Sequence, residues 1–425
     1  MPKTKIITGL DIGTSSTKII IAQKRKGQSD PEVLDIKSFP SFGVRKGVVI
    51  NPEEVSKNIQ SLISKTSESS SKKIESVYIN INGNHLFIMP SHGLVSISRA
   101  DQRISQEDIL RVIEESRTVH LPSNIEILDV FPKEFIIDGR KNIKEPLEMH
   151  GVRLEVDTIL LCGFSPYLKN LTNAVLSSGL QIDDLIPSPL AAARAVLNKR
   201  QKELGVALID IGAGTTSLAV FEEGNLIHLA VFPIGSDYIT NDIAIGLRTD
   251  IDTAERIKKE FGACIYQSRA KKSKGKKPFV RTQQKGKKKQ DLIKISRDDS
   301  FLSFSKKMLA EIIEARVCEI FNLVNKELKK ISRQKLLPAG IVLTGGGAKL
   351  PKIVELAKKE LKLPAQIGKP TGFFSFQDDP SLATLCGLVL EGFDLEKEGM
   401  TGSWSSDFKK GIFGKLKRIF KIFVP

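Results

Sequence analysis

One short design occurs twice in this chain, and it narrows the possible folds more than any other feature. Residues 5–24 read strand, turn, strand: KIITGLD, IGTSST, KIIIAQK. Residues 205–228 read the same way: GVALID, IGAGTT, SLAVFEEGNLIH. β-Branched and aliphatic residues fill the arms, while Gly, Ser and Thr fill the turns. Aligned, the copies share Asp-Ile-Gly, and Asp11 and Asp210 are equivalent, 199 positions apart. Solenoid repeats recur every ~20–50 residues, so this spacing instead predicts a duplicated domain, each copy built on one hairpin.

The turns carry chemistry. A third glycine cluster, Gly345-Gly346-Gly347, follows the apolar stretch AGIVLT at 339–344. Glycine lets backbone approach a phosphate, and successive turn N–H groups form a concavity for anions. Gly13, Thr14 and Ser15 in the first turn, and Gly212, Gly214, Thr215 and Thr216 in the second, are candidate phosphate donors. Asp11 and Asp210 repel phosphate, but either can hold Mg²⁺ through water. Lys18 adds positive charge. Alone, a glycine run also fits a plain loop, and one Asp-Ile-Gly also fits a tight hairpin. All three in this order predict a nucleotide clamp. The P-loop pattern GxxxxGK[ST] is absent, and after each Asp-Ile-Gly the chain returns as a strand where the dinucleotide fingerprint requires a helix.

Strand and helix patterns alternate elsewhere, which predicts α/β domains. Helices are expected at 51–67, near 105–117, at 166–178, 187–197, 241–262, 301–331 and 351–361. Strands are expected at 74–82, 157–164 and 339–344, and the 84–158 stretch should mix short strands with its one helix. Residues 68–73 and 391–408 read as linkers, the latter holding the only tryptophan, Trp404.

Net charge enters because it is so unevenly placed. The chain carries +16 over 425 residues. Residues 267–290 hold 11 Lys and Arg and no acid, and residues 409–425 hold 6 and no acid, which leaves the rest nearly neutral. A nucleic-acid partner is therefore not expected of the folded body. The 267–290 segment is too polar to pack and reads as a flexible loop, 267–296 in the domain scheme below. It fits a solvated insertion, a membrane contact or a polyanion contact, and its residues do not choose among them.

No signal peptide or bilayer-spanning run is legible, and Cys162, Cys264, Cys318 and Cys386 show neither CxxC pairing nor metal-site spacing. A reduced, cytoplasmic chain is expected. On a helical projection, Ile412, Phe413, Leu416, Ile419, Phe420, Phe423 and Val424 fall within an arc of about 140°. Lys410, Lys415, Lys417, Arg418 and Lys421 occupy the remaining side. This is the pattern of a helix lying in a membrane interface, drawn to anionic lipid headgroups. A terminal helix packed on its own domain is the alternative.

The turns and their order resemble those of the actin, sugar-kinase and heat-shock-chaperone superfamily. Within it the chain resembles the FtsA family of actin-like bacterial cell-division proteins. The resemblance rests on GLDIGTSSTKI (9–19), EPLEMHGVRLE (145–155), LIDIGAGTTSLAVF (208–221), GSDYITNDIAIGLRTDIDTAERIKKEFG (235–262), LAEIIEARVCEIFNLVN (309–325) and VLTGGGAKLPKIVELA (342–357). It implies an actin-like, ribonuclease H-like α/β fold of two duplicated lobes. Subdomain 1A would hold 1–83 and 159–186, with an inserted subdomain 1C at 84–158. Subdomain 2A would hold 187–240 and 336–390, and 2B 241–335. A linker at 391–408 would lead to a membrane-targeting helix at 409–425.

The resemblance also implies ATP and Mg²⁺ between the lobes. The two hairpins would hold the phosphates, Glu255, Lys258 and Lys259 the ribose and base, and Gly345, Gly346 and Gly347 the adenosine. Glu255, Lys258 and Lys259 share one helix face, which as sequence alone fits a solvated charged face equally well. Head-to-tail filaments beneath the membrane are implied, with the C-terminal tail of the tubulin-like FtsZ docking on 2B and other division proteins as further partners. Arg316 is a candidate for that acidic tail, or else an intradomain ion pair. Two departures stand out. Ser188 lies where related ATPases carry a water-orienting Glu or Gln, and Ser217 lies where many carry Asp. ATP binding with weak hydrolysis is the expectation. A sugar or metabolite kinase on the same fold, or a pilus-assembly adaptor of the same group, are the rival readings.

Overall fold

The duplication is visible as topology. In the computed structural model, which describes residues 4–70, 73–266, 292–297, 300–374 and 376–397, two five-stranded sheets share one design. The first runs Glu32–Pro40, Ser16–Lys24, Lys5–Ile12, Ser76–Ile81, Gln181–Pro187. The second runs Asn225–Phe232, Thr216–Glu222, Val206–Ile211, Gly340–Thr344, Ala365–Ile367. In each, three consecutive strands pair antiparallel and two later strands add in parallel. Register matches too: Asp11 lies opposite Lys18, and Asp210 opposite Ser217.

Runs such as Ile19-Ile20-Ile21-Ala22 and Val206-Ala207-Leu208-Ile209 are wholly buried because helices cover both sheet faces. Each such Ile or Leu contributes about 1.5–3 kcal/mol on leaving water. The small-residue helix Ser188–Val196 lies very close to helix Ala383–Lys397. A β-carbon on Gly387 would sit 1.8 Å from the Ala191 carbonyl oxygen, so only glycine fits there.

Helix Ala383–Lys397 corrects two expectations. It continues through most of the first residues assigned to the 391–408 linker. Its apolar face (Leu385, Leu388, Val389, Phe393) packs on Ile7, Ile20 and Tyr78 of the first sheet. Residues 383–390, expected in the second lobe, thus cross back to the first, where the apolar helix finds a sheet face to cover.

Between the strands Ser76–Ile81 and Gln181–Pro187 sits an inserted antiparallel sheet, ordered Phe87–Ser96, Arg153–Phe164, Ile125–Ile137, Arg140–Ile143. Its strands are longer than expected, and Arg153–Phe164 stays paired on both sides almost to its end, past the 158 boundary. Helix Gln106–Glu115 begins in a capping box: Asp108 N–H donates to the Ser105 hydroxyl at 3.3 Å and Ser105 N–H to the Asp108 carboxylate at 2.9 Å. A β-carbon on Gly93 would lie 2.2 Å from the Val112 carbonyl oxygen, so this helix can settle directly on the sheet.

Other boundaries moved for local reasons. The helix read at 51–67 runs Pro52–Ser70, into the expected 68–73 linker, as the Thr66 hydroxyl donates back to the Leu62 carbonyl at 2.7 Å. The 241–262 helix is two, Ser236–Leu247 and Ile251–Phe261, broken where Arg248 turns left-handed (φ 52) and Asp250 caps Thr253 N–H at 2.7 Å. The 301–331 helix starts only at Lys306, because Ser305 caps it after strand Ser300–Ser305, which pairs with Leu292–Arg297. That strand also replaces the last residues of the expected 267–296 loop. The second arm at 217–228 is two strands, turned at Glu223 and Gly224 with positive φ. The 267–290 segment, Trp404 and the helix expected at 409–425 lie outside the described residues. No helix among the described residues is long and apolar enough to cross a membrane.

Candidate functional site

The two glycine turns face each other across a cleft of about 1150 Å³ between the sheets. The turns are built alike. Gly13 N–H donates to the Ser16 carbonyl at 3.1 Å, and Gly212 N–H to the Thr215 carbonyl at 2.9 Å. They meet tip to tip: a β-carbon on Gly214 would lie 2.7 Å from the Thr14 hydroxyl oxygen. Thr14 in turn accepts a hydrogen bond from Gly47 N–H at 2.9 Å, which holds its hydroxyl at the mouth of the first turn.

Every nucleotide residue expected from the sequence lines this cleft except Gly214 and Thr216. Gly214 serves the close approach of the turns. Thr216 points the other way: its side chain is buried and its hydroxyl donates to the Ile234 carbonyl at 2.8 Å. In an extended strand successive side chains alternate faces, so Thr215 and Thr216 cannot both face the cleft.

Asp11 and Asp210 occupy the cleft floor. Lys18 pairs with Asp11 at 3.2 Å. Asp210 accepts from the Thr384 hydroxyl at 3.3 Å and lies against Gly345, whose φ of 83 and close approach exclude a side chain. Burial, then the nearby Asp11 carboxylate, raise the Asp210 pKa to about 6, partly offset by Lys18 and Thr384. Two carboxylates sharing one lysine are an electrostatic deficit. That donor set suits a hydrated Mg²⁺, which takes one or two carboxylates and keeps its waters.

At the opposite end, Lys258 is buried and fully bonded. Its ammonium donates to the Ser236 carbonyl (3.1 Å) and the Thr240 hydroxyl (2.7 Å) and pairs with Glu255 (2.6 Å). Lys259 pairs with Glu255 at 3.2 Å from the exposed side. Burial alone would raise the Glu255 carboxyl, but hydrogen bonds from Lys258 and Thr240 hold it below its ordinary value. This is a preformed polar wall, not a loose charged surface. Gly345, Gly346 and Gly347 form its other side, entering the short turn Gly346–Lys349.

Sequence reading missed several lining residues: Asn80, Asn82, Ser236, Asp237, Thr240 and Lys349. Asn80 ties three segments together, accepting from Ile12 N–H at 2.7 Å and donating to the Ser188 hydroxyl at 3.0 Å. Arg316 lies elsewhere. Its guanidinium holds Asp242 at 2.6 and 2.8 Å, also pairs with Glu319, and stacks over Tyr238. Arg316 thus forms an intradomain ion pair.

Comparison with known proteins follows the same lines. The family model "Cell division protein FtsA" matches residues 207–387, and "SHS2 domain inserted in FTSA" matches residues 83–162. The FtsA of Pseudomonas aeruginosa is 36% identical, with 97% of each chain covered. The chain belongs to the FtsA family. The FtsA of Bacillus subtilis is also 36% identical, over 92% of this chain and 84% of its own. The FtsA of Escherichia coli K12 is 31% identical, over 93% and 92%.

Solved structures place this FtsA-family chain in the actin-like fold. The PilM–PilN type IV pilus biogenesis complex matches with TM-score 0.62 at 18% identity, over 91% of this chain and 98% of that one. MreB5 of Spiroplasma citri, solved bound to ADP, matches with TM-score 0.53 at 14% identity, over 94% and 99%. At these identities the likeness speaks to fold alone. The inserted antiparallel sheet is the part matched by the SHS2 model, and it is the feature by which FtsA departs from a plain pair of duplicated lobes.

Proposed function

We propose that this FtsA-family chain binds Mg²⁺–ATP in the inter-lobe cleft, polymerises head to tail beneath the cytoplasmic membrane, and anchors FtsZ filaments there at the division site. The observation that carries the nucleotide part is the facing pair of Gly-Thr turns above Asp11 and Asp210. Turn N–H groups at Thr14 and Ser15 and at Ala213 to Thr215 bind phosphate oxygens, while those of Gly13 and Gly212 close the turns themselves, and Lys18 adds charge. Asp11 and Asp210 would hold hydrated Mg²⁺, which supplies neutralising charge to the phosphates when bound. Glu255, Lys258 and Lys259 bind ribose and base, with Gly345 to Gly347 against the adenosine. The fold neighbour MreB5 was solved with ADP and with AMPPNP, which supports a nucleotide in a cleft of this fold.

The amphipathic 409–425 segment supplies membrane attachment. Ile412, Phe413, Leu416, Ile419, Phe420 and Phe423 enter the headgroup region, while Lys417, Arg418 and their basic neighbours contribute ~1 kcal/mol each against anionic lipid. One such helix binds reversibly, so a filament of copies gains avidity. The FtsZ C-terminal tail, an acidic peptide, docks on the segment around Arg316.

Vesicle co-sedimentation of the full chain tests this. With anionic vesicles and ATP, FtsZ pellets only when the chain is present. Deletion of 409–425 leaves both proteins in the supernatant. Pelleting of the truncated chain at the full-length level would refute the anchor.

A further inference from the structure

At the root of the inserted subdomain, Asn82 is held in one amide orientation. Gly83 N–H donates to its side-chain carbonyl at 2.9 Å, and the Ser217 hydroxyl donates to the same oxygen at 3.3 Å. A backbone N–H can only donate, so the carbonyl end of the amide is fixed toward Gly83. The NH₂ end is therefore directed at Thr215, whose hydroxyl oxygen it reaches at 3.1 Å. Asn82 belongs to the first lobe, and Thr215 and Ser217 to the second, so this one side chain bridges the cleft floor.

The bond has a directional consequence. A hydroxyl carries one proton and two lone pairs. With a lone pair of Thr215 occupied by Asn82, the proton is free to point into the cleft as a donor. Thr215 itself is nearly buried, 5% exposed, and its neighbour Gly214 brings the turn against Thr14. The hydroxyl is thus set to donate to an anion.

The same residue is tied to the insert. The Asn82 backbone carbonyl accepts from His85 Nε2 at 3.2 Å, while His85 Nδ1 accepts from Phe164 N–H at 3.3 Å. These two bonds require the neutral Nε2–H tautomer. Phe164 closes the last strand of the inserted sheet, and the His85 ring rests against Tyr167 with centroids 5.0 Å apart. A continuous chain of hydrogen bonds therefore runs from the end of the insert, through His85 and Asn82, to Thr215.

We infer that Asn82 is a positioning residue for the nucleotide's phosphate chain: it orients the Thr215 hydroxyl as a donor and, through His85, couples phosphate occupancy to the inserted subdomain. This rests on the reading of the cleft as a nucleotide site. Coupling is reciprocal, so a macromolecule that grips the insert will change ATP affinity by the factor that ATP changes its own.

Calorimetric titration of the full chain with Mg²⁺–ATP and with adenosine tests the inference. Asn82→Asp keeps the shape but can only accept, so the Thr215 proton turns away from the cleft and a charge faces the phosphates. ATP affinity should fall about tenfold or more, while adenosine affinity stays within twofold, a selectivity that general damage to the cleft would not produce. Asn82→Ala should weaken ATP binding less, and that loss should vanish in a Thr215→Val background. In the unaltered chain, ATP should slow amide exchange along Arg153–Phe164. If the unaltered chain shows no ATP binding, the nucleotide reading itself fails. If it binds ATP, the inference is overturned by Asn82→Asp binding ATP within twofold of the unaltered chain, or by equal losses from Asn82→Ala with and without Thr215.

Discussion

The side-chain amide of Asn80 donates to the Ser188 hydroxyl at 3.0 Å, and that hydroxyl donates onward to the Ile81 carbonyl at 3.2 Å. Ser188 is only 2% exposed. Its proton and a lone pair are committed, so it has little capacity left to orient a water. Positioned general bases contribute about 10²–10⁴-fold, and without one, turnover of ATP should lie far below the ~10 s⁻¹ median of enzymes. Steady-state phosphate release checks this. Ser188→Glu should not raise the rate, because a carboxylate in this buried place meets the Ile81 carbonyl and lowers the melting temperature instead.

Asp210 gives a pH signature. Its carboxyl is raised to about 6, first by burial and then by Asp11. A raised acid favours folding below its unfolded pKa of about 3.8, and that advantage is lost as pH climbs through about 6. Asp210→Asn should therefore stabilise the ligand-free chain at pH 7 by up to about 3 kcal/mol. The same change should weaken Mg²⁺–ATP binding. In the unaltered chain, affinity for Mg²⁺–ATP should rise between pH 5 and pH 7 as the carboxyl ionises (about half a proton released per site at pH 6). Denaturant melts and calorimetry in two buffers read both effects.

The three consecutive glycines are not interchangeable. A β-carbon on Gly345 would lie 2.2 Å from an Asp210 oxygen at φ 83, whereas one on Gly346 meets nothing within 4 Å. Gly345→Ala should cost about 2–4 kcal/mol and push Asp210 out of place. Gly346→Ala should leave stability within about 0.5 kcal/mol, which a urea melt resolves.

Under the proposed tail docking, Arg316 would have to serve Asp242 and an acidic peptide by turns. Hydrogen bonds from the guanidinium to Asp242, and its Coulombic pull, raise the Arg316 pKa and keep the side chain docked. An acidic peptide binding there would compete with Asp242. Asp242→Asn should loosen that hold and tighten FtsZ-tail binding several-fold, at a stability cost of about 1 kcal/mol. Arg316→Glu places a third acid beside Asp242 and Glu319, so its loss of binding should come with a lower melting temperature. Fluorescence anisotropy of a labelled tail peptide gives the first quantity and a thermal melt the second.

The paired glycine turns were legible because their signal is local: apolar arms, a glycine turn and an Asp all lie within about a dozen residues. Asn80 and Asn82 were not. A polar residue ending a strand is unremarkable in sequence, and the partners that give these two meaning lie 68, 108 and 133 positions away. Thr216 was misassigned because strand alternation, rather than residue type, decides which of two adjacent threonines faces the cleft. The second-lobe boundaries failed similarly. Arg248 interrupts a good helical pattern with one left-handed residue, and Ser300–Ser305 carries enough apolar residues to read as a first helical turn. Helix Ala383–Lys397 was not read as a helix at all: Glu391 and Gly392 resemble linker residues, and the sheet that buries its apolar face comes from the opposite end of the chain.

The inserted sheet leaves the first lobe after Asn82 and returns at Phe164, and a single imidazole, that of His85, spans exit and re-entry. None of the first lobe's five strands comes from within the insert. Such a segment is modular: one crossing of adjacent chain positions could have brought it in whole, or exchanged it for another, without redesigning the host. The surface that the insert presents can then be altered without moving the two glycine turns of the cleft beneath it.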